Sequence, residues 1–197
     1  MGQANAVRVD WEEKRRVEKI KGQTVMLAAM PAVNHNRVAG YIYHTFLNYL
    51  KKKRCEAFSD GVEIHLDEDN TFVPDAMIVC NKDIIKYDGI YGAPDLVVEV
   101  LSPSTASRDR GAKKDVYEQH GVKEYWIADP KSKSVEVYHL KDGRFVLDNV
   151  YTAYEEWEWK SLSDKEKEAA KLPLKVSLYD DFFIDVREIF ERVQPGA

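Results

Sequence analysis

The pattern of apolar residues predicts an α/β fold: a mixed central sheet flanked by helices, with an additional N-terminal hairpin and further strands near the C-terminus. Five of the seven residues in 95–101 are aliphatic, a composition typical of a strand covered on both faces. Residues 33–53 instead repeat their apolar side chains at helical spacing. A strand buried on both faces needs a helical layer on each side, which is the α/β architecture.

Length and charge indicate the domain organisation and limit the kind of nucleic-acid binding. The chain has 197 residues, of which 44% are hydrophobic, enough for one domain with a full core. We expect residues 1–10 to form a flexible lead and residues 11–197 to form a single domain. The net charge of −5 argues against avid, sequence-independent binding of nucleic acid, because such binding depends on many lysine and arginine contacts to phosphate. It leaves room for a local basic groove.

The cysteines and the apolar runs indicate the compartment. Cys55 and Cys80 are too few for a disulfide framework and lack metal-ligand spacing, so we expect two buried thiols in a reducing cytoplasm. No apolar run approaches the ~20 residues of a membrane span, and the N-terminus carries no apolar signal region. The expected location is therefore cytoplasmic, with no membrane partner.

The first quarter of the chain predicts a hairpin followed by a long helix. Residues 16–20 and 25–28 flank Gly22, which favours a turn. The helix is expected over residues 33–53. Its basic end, residues 51–54, is interpreted as a solvated tail favoured by the helix dipole rather than as a nucleic-acid patch.

Short apolar runs predict the strands of the central block, which are residues 62–66, 71–73, 76–80, 95–101, 124–128 and 134–138, with 144–147 as a further candidate. The acidic residues 67–70 form a turn, because they lack the glycine and distal glutamate of a calcium loop. Alternation in 134–138 indicates a half-exposed edge strand, and a helix of about ten residues is expected to begin near Asp109.

The C-terminal part returns to the same alternation of elements after one insert. Residues 151–171 combine aromatic and charged side chains and are interpreted as a solvated helical insert with no assigned chemistry. Strand-like alternation follows at 172–178, and residues 185–193 predict a short terminal helix.

Glu99 is the residue that calls for a functional explanation, because it lies in the middle of the apolar strand 95–101. An ionised glutamate buried there without a partner would be strongly unfavourable, so a metal ion, a lysine or both should accompany it. Asp95 lies four residues away on the same strand, about 13 Å distant, and cannot share an ion with Glu99. Asp75, at the start of the separate run 76–80, can lie beside it. Two carboxylates and a lysine can hold a divalent cation against a phosphate.

The lysine is expected on the following helix. Cleavage of a phosphodiester needs a protein cation near the scissile phosphate, but the Glu-x-Lys position holds Leu101. Lys113 lies on the apolar face of the helix and points towards the body of the protein. Lys114 is spaced for a surface ion pair with Glu118. Asp109, one turn before Lys113, can orient it.

Four motifs are specific enough to carry a family resemblance: Pro74-Asp75, PDLVVEVLSPST at residues 94–105, DRGAK at 109–113 and GVKEYWIADP at 121–130. Together they resemble the Uma2 family of restriction-endonuclease-like proteins, a member of the PD-(D/E)xK nuclease superfamily. Weaker matches extend to residues 17–22 and to His35. The charged insert at 151–171 departs from the family pattern and bears on substrate preference.

The resemblance implies a restriction-endonuclease-like fold and a nuclease that uses Mg²⁺ or Mn²⁺ to cleave nucleic acid, most readily DNA, as a homodimer. It places Asp75, Glu99 and Lys113 in the catalytic positions, with the metal held by the two carboxylates and the backbone carbonyl near Val100. The outer members of the site are expected to be Glu18, His35 and Asp109. The residues expected to contact the DNA backbone are Arg108 and Arg110.

Simpler interpretations of the same residues remain. Glu99 and Lys113 could form an ion pair that only fixes the helix on the sheet, and Asp75 could cap a turn. His35 falls on the apolar stripe of its helix, where a core histidine is the simpler explanation, and residues 102–105 are better explained as a helix start than as a phosphate contact. A catalytically inactive nucleic-acid-binding module, or a structural module that assembles through residues 151–171, would carry the same fold.

Overall fold

A six-stranded mixed sheet forms the centre of the computed structural model, which describes residues 17–26, 32–170 and 173–194. Its strands, in spatial order, are β11 (Arg144–Thr152), β10 (Ser134–Lys141), β9 (Glu124–Asp129), β8 (Leu96–Val100), β6 (Ala76–Val79) and β3 (Glu56–Ser59). β8 and β9 run parallel, and the other neighbours are antiparallel. The predicted lead at residues 1–10 lies outside the described residues.

A second, five-stranded sheet contains the predicted N-terminal hairpin. Its strands, in spatial order, are β2 (Gln23–Met26), β1 (Val17–Ile20), β5 (Asn70–Phe72), β4 (Ile64–Asp67) and β7 (Ile90–Tyr91). The hairpin turns at Lys21 and Gly22, which both have positive φ, as a tight two-residue turn requires. Two further strands, β12 (Leu174–Lys175) and β13 (Phe183–Ile184), pair near the C-terminus.

The described residues also form six α-helices. They are α1 (Val33–Tyr49), α2 (Ala106–Arg110), α3 (Ala112–Gln119), α4 (Glu156–Ser161), α5 (Asp164–Ala170) and α6 (Val186–Phe190), with a 3₁₀ turn at Lys82–Ile84. The alternation of β8 divides the core: Val98 packs in the cluster with α1 and α6, whereas Val97 packs in the cluster with α3 and the second sheet. The predicted α/β class, a mixed sheet between helices, is confirmed.

Several predicted elements differ from the observed ones. β10 is not an edge strand, because β11 extends through residue 152 and covers it. The helix expected near Asp109 is two helices that meet at Gly111, where a Cβ atom would lie 2.9 Å from the carbonyl oxygen of Ser107. The long helix ends at Tyr49, and the basic residues 51–54 after it are exposed, as expected of a solvated tail.

The prediction of two free thiols is wrong, because Cys55 and Cys80 form a disulfide. Glu56 pairs with Val79 across β3 and β6, so the next residues outward, the two cysteines, face each other at the end of the ladder. Spacing along the chain could not show this, because the pairing depends on strand register. Within the described residues, no helix is long and apolar enough to cross a membrane.

The insert at 151–171 is only partly what its composition indicates. Its helices, α4 and α5, are largely exposed. Tyr151, near the end of β11, and Ala153, directly after that strand, are however buried in the core cluster that contains residues of α1. Residues 171–172, at the end of the insert, lie outside the described part of the chain.

Candidate active site

Glu99 faces α3 because alternate residues of β8 point to opposite faces of the sheet. Its side chain is 5% exposed. Its Oε1 lies 2.6 Å from Nζ of Lys113 and accepts a 2.7 Å hydrogen bond from the hydroxyl of Tyr117. Burial raises the pKa of Glu99 well above its usual value, and the charges of Asp109 and Asp75 add to the rise while Lys113 opposes it. The lysine partner expected for this carboxylate is therefore present.

Lys113 is shared by several carboxylates. Besides its contact with Glu99, its Nζ donates a 2.8 Å hydrogen bond to Oε1 of Glu18 and lies 3.9 Å from Oδ1 of Asp109. Burial disfavours the ammonium form, but the charges of Glu99 and Glu18 outweigh this and raise the pKa of Lys113. Lys113 thus remains an ammonium ion and can act as a hydrogen-bond donor and positive charge, not as a base.

Glu18 reaches this lysine because its strand, β1, pairs with β5 inside the second sheet. Lys19 of β1 pairs with Thr71 of β5, and Oε1 of Glu18 also accepts a 3.1 Å hydrogen bond from the amide of Val73. Glu18 is 2% exposed. The N-terminal hairpin therefore brings Glu18 to Lys113, and its role as an outer member of the site stays a prediction.

Asp109 is also buried, on α2. Burial raises its pKa, which the charge of Lys113 opposes, and the carbonyl oxygen of Asp109 accepts a 2.9 Å hydrogen bond from the hydroxyl of Tyr125. This contact anchors α2 to β9. Asp109 therefore lies where it can orient Lys113, four residues later, as its spacing predicts.

Asp75 stands beside Glu99 across the sheet. Ala76 of β6 pairs with Val98 of β8, so the preceding residue, Asp75, is opposite Glu99. Its Oδ2 accepts a 2.7 Å hydrogen bond from the amide of Val100.

Asp95 instead accepts hydrogen bonds from the amide of Cys80 and from Nζ of Lys123, both at 2.7 Å. The structure separates the two Pro-Asp motifs as the distance argument predicts.

His35 lies on the other side of Asp75, with Nε2 3.3 Å from Oδ2 of that residue. Burial lowers the pKa of His35, but the hydrogen bond to Asp75 and its charge outweigh this and give a net rise. The other ring nitrogen, Nδ1, is buried and has no hydrogen-bond partner among the described residues. His35 is therefore not simply a satisfied core histidine.

The cluster carries more carboxylates than cations. Among the described residues, four acids surround Lys113 and His35, namely Glu18, Asp75, Glu99 and Asp109. Each lysine or histidine contact offsets one charge at most, so negative charge remains in a site of low exposure. Such an excess favours either protonation of a carboxyl group or uptake of a cation.

The donor set fits a hard divalent cation. Within the described residues, no group of three or more His, Cys, Asp and Glu side chains is arranged to hold a metal ion. Mg²⁺ does not need one, since it commonly binds one or two carboxylates and fills its remaining positions with water and phosphate oxygens. Asp75 and Glu99 supply two such carboxylates, and the ligand role of the Val100 carbonyl stays a prediction.

The two arginines predicted to contact the DNA backbone differ in whether they already have an ion-pair partner. Arg110 pairs with Glu136 at 2.7 Å, so its guanidinium already has a partner. Arg108 is partly exposed and makes no ion pair among the described residues. The carbonyl oxygen of Ser102 accepts a hydrogen bond from the amide of Ala106, which supports the interpretation of residues 102–105 as a helix start.

Three contacts of α3 were not predicted. Nζ of Lys114 lies 3.5 Å from the centre of the Tyr138 ring, and Glu118 pairs with Arg144 instead. The predicted pair between Lys114 and Glu118 is therefore wrong, because β11 brings a competing arginine to the glutamate. The hydrogen bond from Tyr117 to Glu99 was also missed, although Tyr117 lies one turn after Lys113 on the same face.

Comparison with known proteins decides the family. The Uma2 family, described as "putative restriction endonuclease", matches residues 8–165. This chain belongs to the Uma2 family. The Uma2 protein is 30% identical over 159 residues to the uncharacterized protein slr1290 of Synechocystis sp., covering 78% of this chain and 83% of that protein.

A solved structure supports the fold. The crystal structure of a "putative nuclease belonging to DUF820" from Anabaena variabilis is similar to this Uma2 protein with a TM-score of 0.68, over 90% of this chain and 91% of that one. The two sequences are 19% identical, so the likeness concerns the fold and leaves activity to be argued from the site. The predicted restriction-endonuclease-like family and fold are confirmed.

Proposed function

We propose that this Uma2 protein is a nuclease that uses Mg²⁺ or Mn²⁺ to hydrolyse phosphodiester bonds of DNA. The observation that carries the proposal is the excess of buried carboxylates around Lys113. A purely structural ion pair needs one carboxylate for one lysine, whereas this cluster retains negative charge that a divalent cation would balance.

Asp75 and Glu99 would hold the ion, together with the carbonyl oxygen of Val100. The bound ion would supply a Lewis acid and lower the pKa of a coordinated water. The hydrogen bond from the amide of Val100 fixes the carboxylate of Asp75 at 2.7 Å, and the hydroxyl of Tyr117 fixes that of Glu99. Both ligands are therefore oriented before substrate arrives, which preorganises the site.

Lys113 would stabilise the negative charge that develops on the scissile phosphate and orient the attacking water by hydrogen bonding. Its ammonium is held by Glu18 and Asp109 as well as by Glu99. Glu18 and Asp109 are therefore positioning residues in this proposal. Cleavage of both strands of a duplex would require two such sites, so we also propose a homodimer, which light scattering would test.

The two Pro-Asp motifs provide a matched test. We expect Asp75→Asn and Glu99→Gln to lose Mn²⁺ binding in calorimetry and metal-dependent cleavage of plasmid DNA. Asp95→Asn makes the same chemical change next to a proline but outside the cluster, and we expect it to retain both activities. Wild-type cleavage by the Glu99→Gln protein would show that the proposal is wrong.

The alternative is a nucleic-acid-binding module without catalysis. The contacts of Lys113 with Glu99 and Glu18, at 2.6 and 2.8 Å, favour it, since they already engage the lysine that catalysis would need. It predicts DNA binding that neither requires a metal nor leads to cleavage at any Mg²⁺ or Mn²⁺ concentration.

A further inference from the structure

A cavity of about 420 Å³ lies next to the candidate active site. His35 lines it, and so does Leu101, the residue directly after Val100. Apolar wall comes from Pro103, Ala106 and other side chains. The volume is within the range of small-molecule binding pockets, roughly 300–1,000 Å³. The cavity is therefore large enough for an organic group next to the carboxylate cluster.

Cationic side chains outnumber carboxylates in the described lining of this cavity, although the net charge of the chain is −5. Among the described residues that line it, three are cationic, Arg110, Lys131 and Lys133, and one, Asp129, is a carboxylate. Lys133 is paired with Glu155, and Arg110 is paired with Glu136 and, at 4.0 Å, with Asp129 of the cavity lining. Lys131 is exposed and makes no ion pair among the described residues. It is the cation best able to meet a phosphate.

His35, which lines the cavity, also has a ring nitrogen that lacks a partner within the described part of the chain and is buried below the cavity surface. Nδ1 of His35 is buried without a hydrogen-bond partner among the described residues, although Nε2 of the same ring faces Asp75. An apolar cavity with a few polar groups and a neighbouring cation matches the chemistry of a nucleotide, which has a flat base, a polar sugar and a phosphate.

We propose that this cavity receives one unpaired nucleotide of a DNA strand, adjacent to the phosphate at the carboxylate cluster, with Lys131 at a neighbouring phosphate. The inference rests on the proposed function of the adjoining site. A base that is paired and stacked in a duplex cannot enter a cavity unless it is first extruded, and extrusion is least unfavourable where the base is already unpaired. The preferred substrate is therefore DNA with a bulge or a flap, not a perfect duplex.

The test compares two fluorescein-labelled DNA duplexes, one perfect and one with a single extra thymidine, by fluorescence anisotropy in EDTA, where metal-dependent cleavage is absent. We expect the wild-type protein to bind the bulged duplex at least about tenfold more tightly, since the energy of extrusion is not required. Ala106→Phe should fill the cavity and remove this preference, while its affinity for the perfect duplex stays unchanged.

Lys131→Glu provides a second variant at an exposed position, and we expect it to weaken binding of the bulged duplex. Its matched control is Lys51→Glu, the same charge change at an exposed lysine beyond the other end of α1, about 25 Å along the helix from His35. The control should leave the preference unchanged. If Ala106→Phe fails to fold by circular dichroism, Lys131→Glu and its control decide.

Equal affinity of the wild-type protein for the two duplexes would overturn the inference, and so would a preference that survives in a folded Ala106→Phe protein and in Lys131→Glu. Cleavage is measured separately with Mg²⁺ and Mn²⁺. Equal cleavage of both duplexes would refute the cavity's role and leave the nuclease proposal standing. A binding preference with no cleavage of either DNA would refute the nuclease proposal alone.

Discussion

Lys113 is the residue on which the buried charges depend. Lys113→Met would leave Glu18, Glu99 and Asp109 buried without their shared cation, and we expect it to lower the free energy of unfolding by about 3–5 kcal/mol near neutral pH. The loss should shrink in acid. Without Lys113 the pKa values of Glu99 and Asp109, already raised by burial, rise further, so protonation relieves the repulsion as pH falls.

Urea unfolding across a pH series would measure this effect. Lys114→Met is the matched control, because Lys114 is the next residue on α3 and contacts the Tyr138 ring near the surface. We expect it to cost about 1 kcal/mol or less, with little dependence on pH. A Lys113→Met protein as stable as the wild type at neutral pH would argue against repulsion among the buried carboxylates of this cluster.

Glu99 should make metal binding depend on pH. Its pKa is raised by burial and by neighbouring carboxylates, and only its ionised form can bind a cation. Below the raised pKa, a bound metal must displace a proton, so we expect Mn²⁺ affinity to increase as pH rises through that value. Calorimetry in two buffers of different ionisation enthalpy would count the released protons. A constant affinity from acid to neutral pH would contradict the assignment of Glu99.

At this scale the sequence predicted the part of the site that depends on local patterns. A glutamate in an apolar strand demands a partner, and the helical face of Lys113 identifies the lysine. The sequence could not predict the contact between Glu18 and Lys113, because that contact depends on β1 pairing with β5. The family resemblance named Glu18 only as an outer member of the site. The disulfide was missed for the same reason, since register across β3 and β6 has no signature in the spacing of two cysteines.

At the scale of elements, the junction of α2 and α3 sets the position of Lys113. Gly111 joins the two helices, and a Cβ atom there would lie 2.9 Å from the carbonyl oxygen of Ser107. We expect Gly111→Ala to lower the free energy of unfolding by about 1–3 kcal/mol, because backbone must move to relieve this contact. Chemical denaturation would measure it.

The same change should also reduce cleavage, since Lys113 follows Gly111 by two residues and would move with the helix. Gly121→Ala is an informative control: Gly121 has a positive φ but open space around the missing Cβ. It should destabilise the protein through backbone strain while leaving cleavage intact. Equal loss of cleavage in both variants would mean that stability, and not the placement of α3, limits activity.

Periodicity predicted the types of most elements but not their neighbours. Alternation in 134–138 correctly indicated a strand, yet β10 is internal. Alternation reports that one face of a strand is less buried than the other, and it contains no information about the hydrogen bonds at its two edges. Apolar spacing also predicted one helix where the structure has two, α2 and α3. The break at Gly111 arises from crowding against the carbonyl of Ser107, which the pattern of polar and apolar side chains does not record.

At the scale of the whole molecule, the disulfide closes a loop that contains β3, β4, β5 and β6. Cys55 and Cys80 are 25 residues apart, and a loop of this length contributes about 3 kcal/mol by restricting the unfolded chain. We expect Cys55→Ser with Cys80→Ser to lose that stability in urea unfolding. Metal binding should persist, because Asp75 lies at the opposite end of β6 from Cys80. Loss of Mn²⁺ binding in a folded double variant would instead link the disulfide to the site.

The net charge of −5 limits how the molecule can hold DNA. Among the cations near the site, Arg108 and Lys131 make no ion pair with the described residues, so they are the ones available for phosphates. Two phosphate contacts predict that the logarithm of the DNA-binding constant falls with the logarithm of salt concentration with a slope of about −2. Lys131→Glu should reduce the size of that slope by about 1, because it removes one phosphate contact. Fluorescence anisotropy over a salt series would measure both slopes, and a wild-type slope steeper than about −5 would require a large basic surface that this acidic chain does not offer.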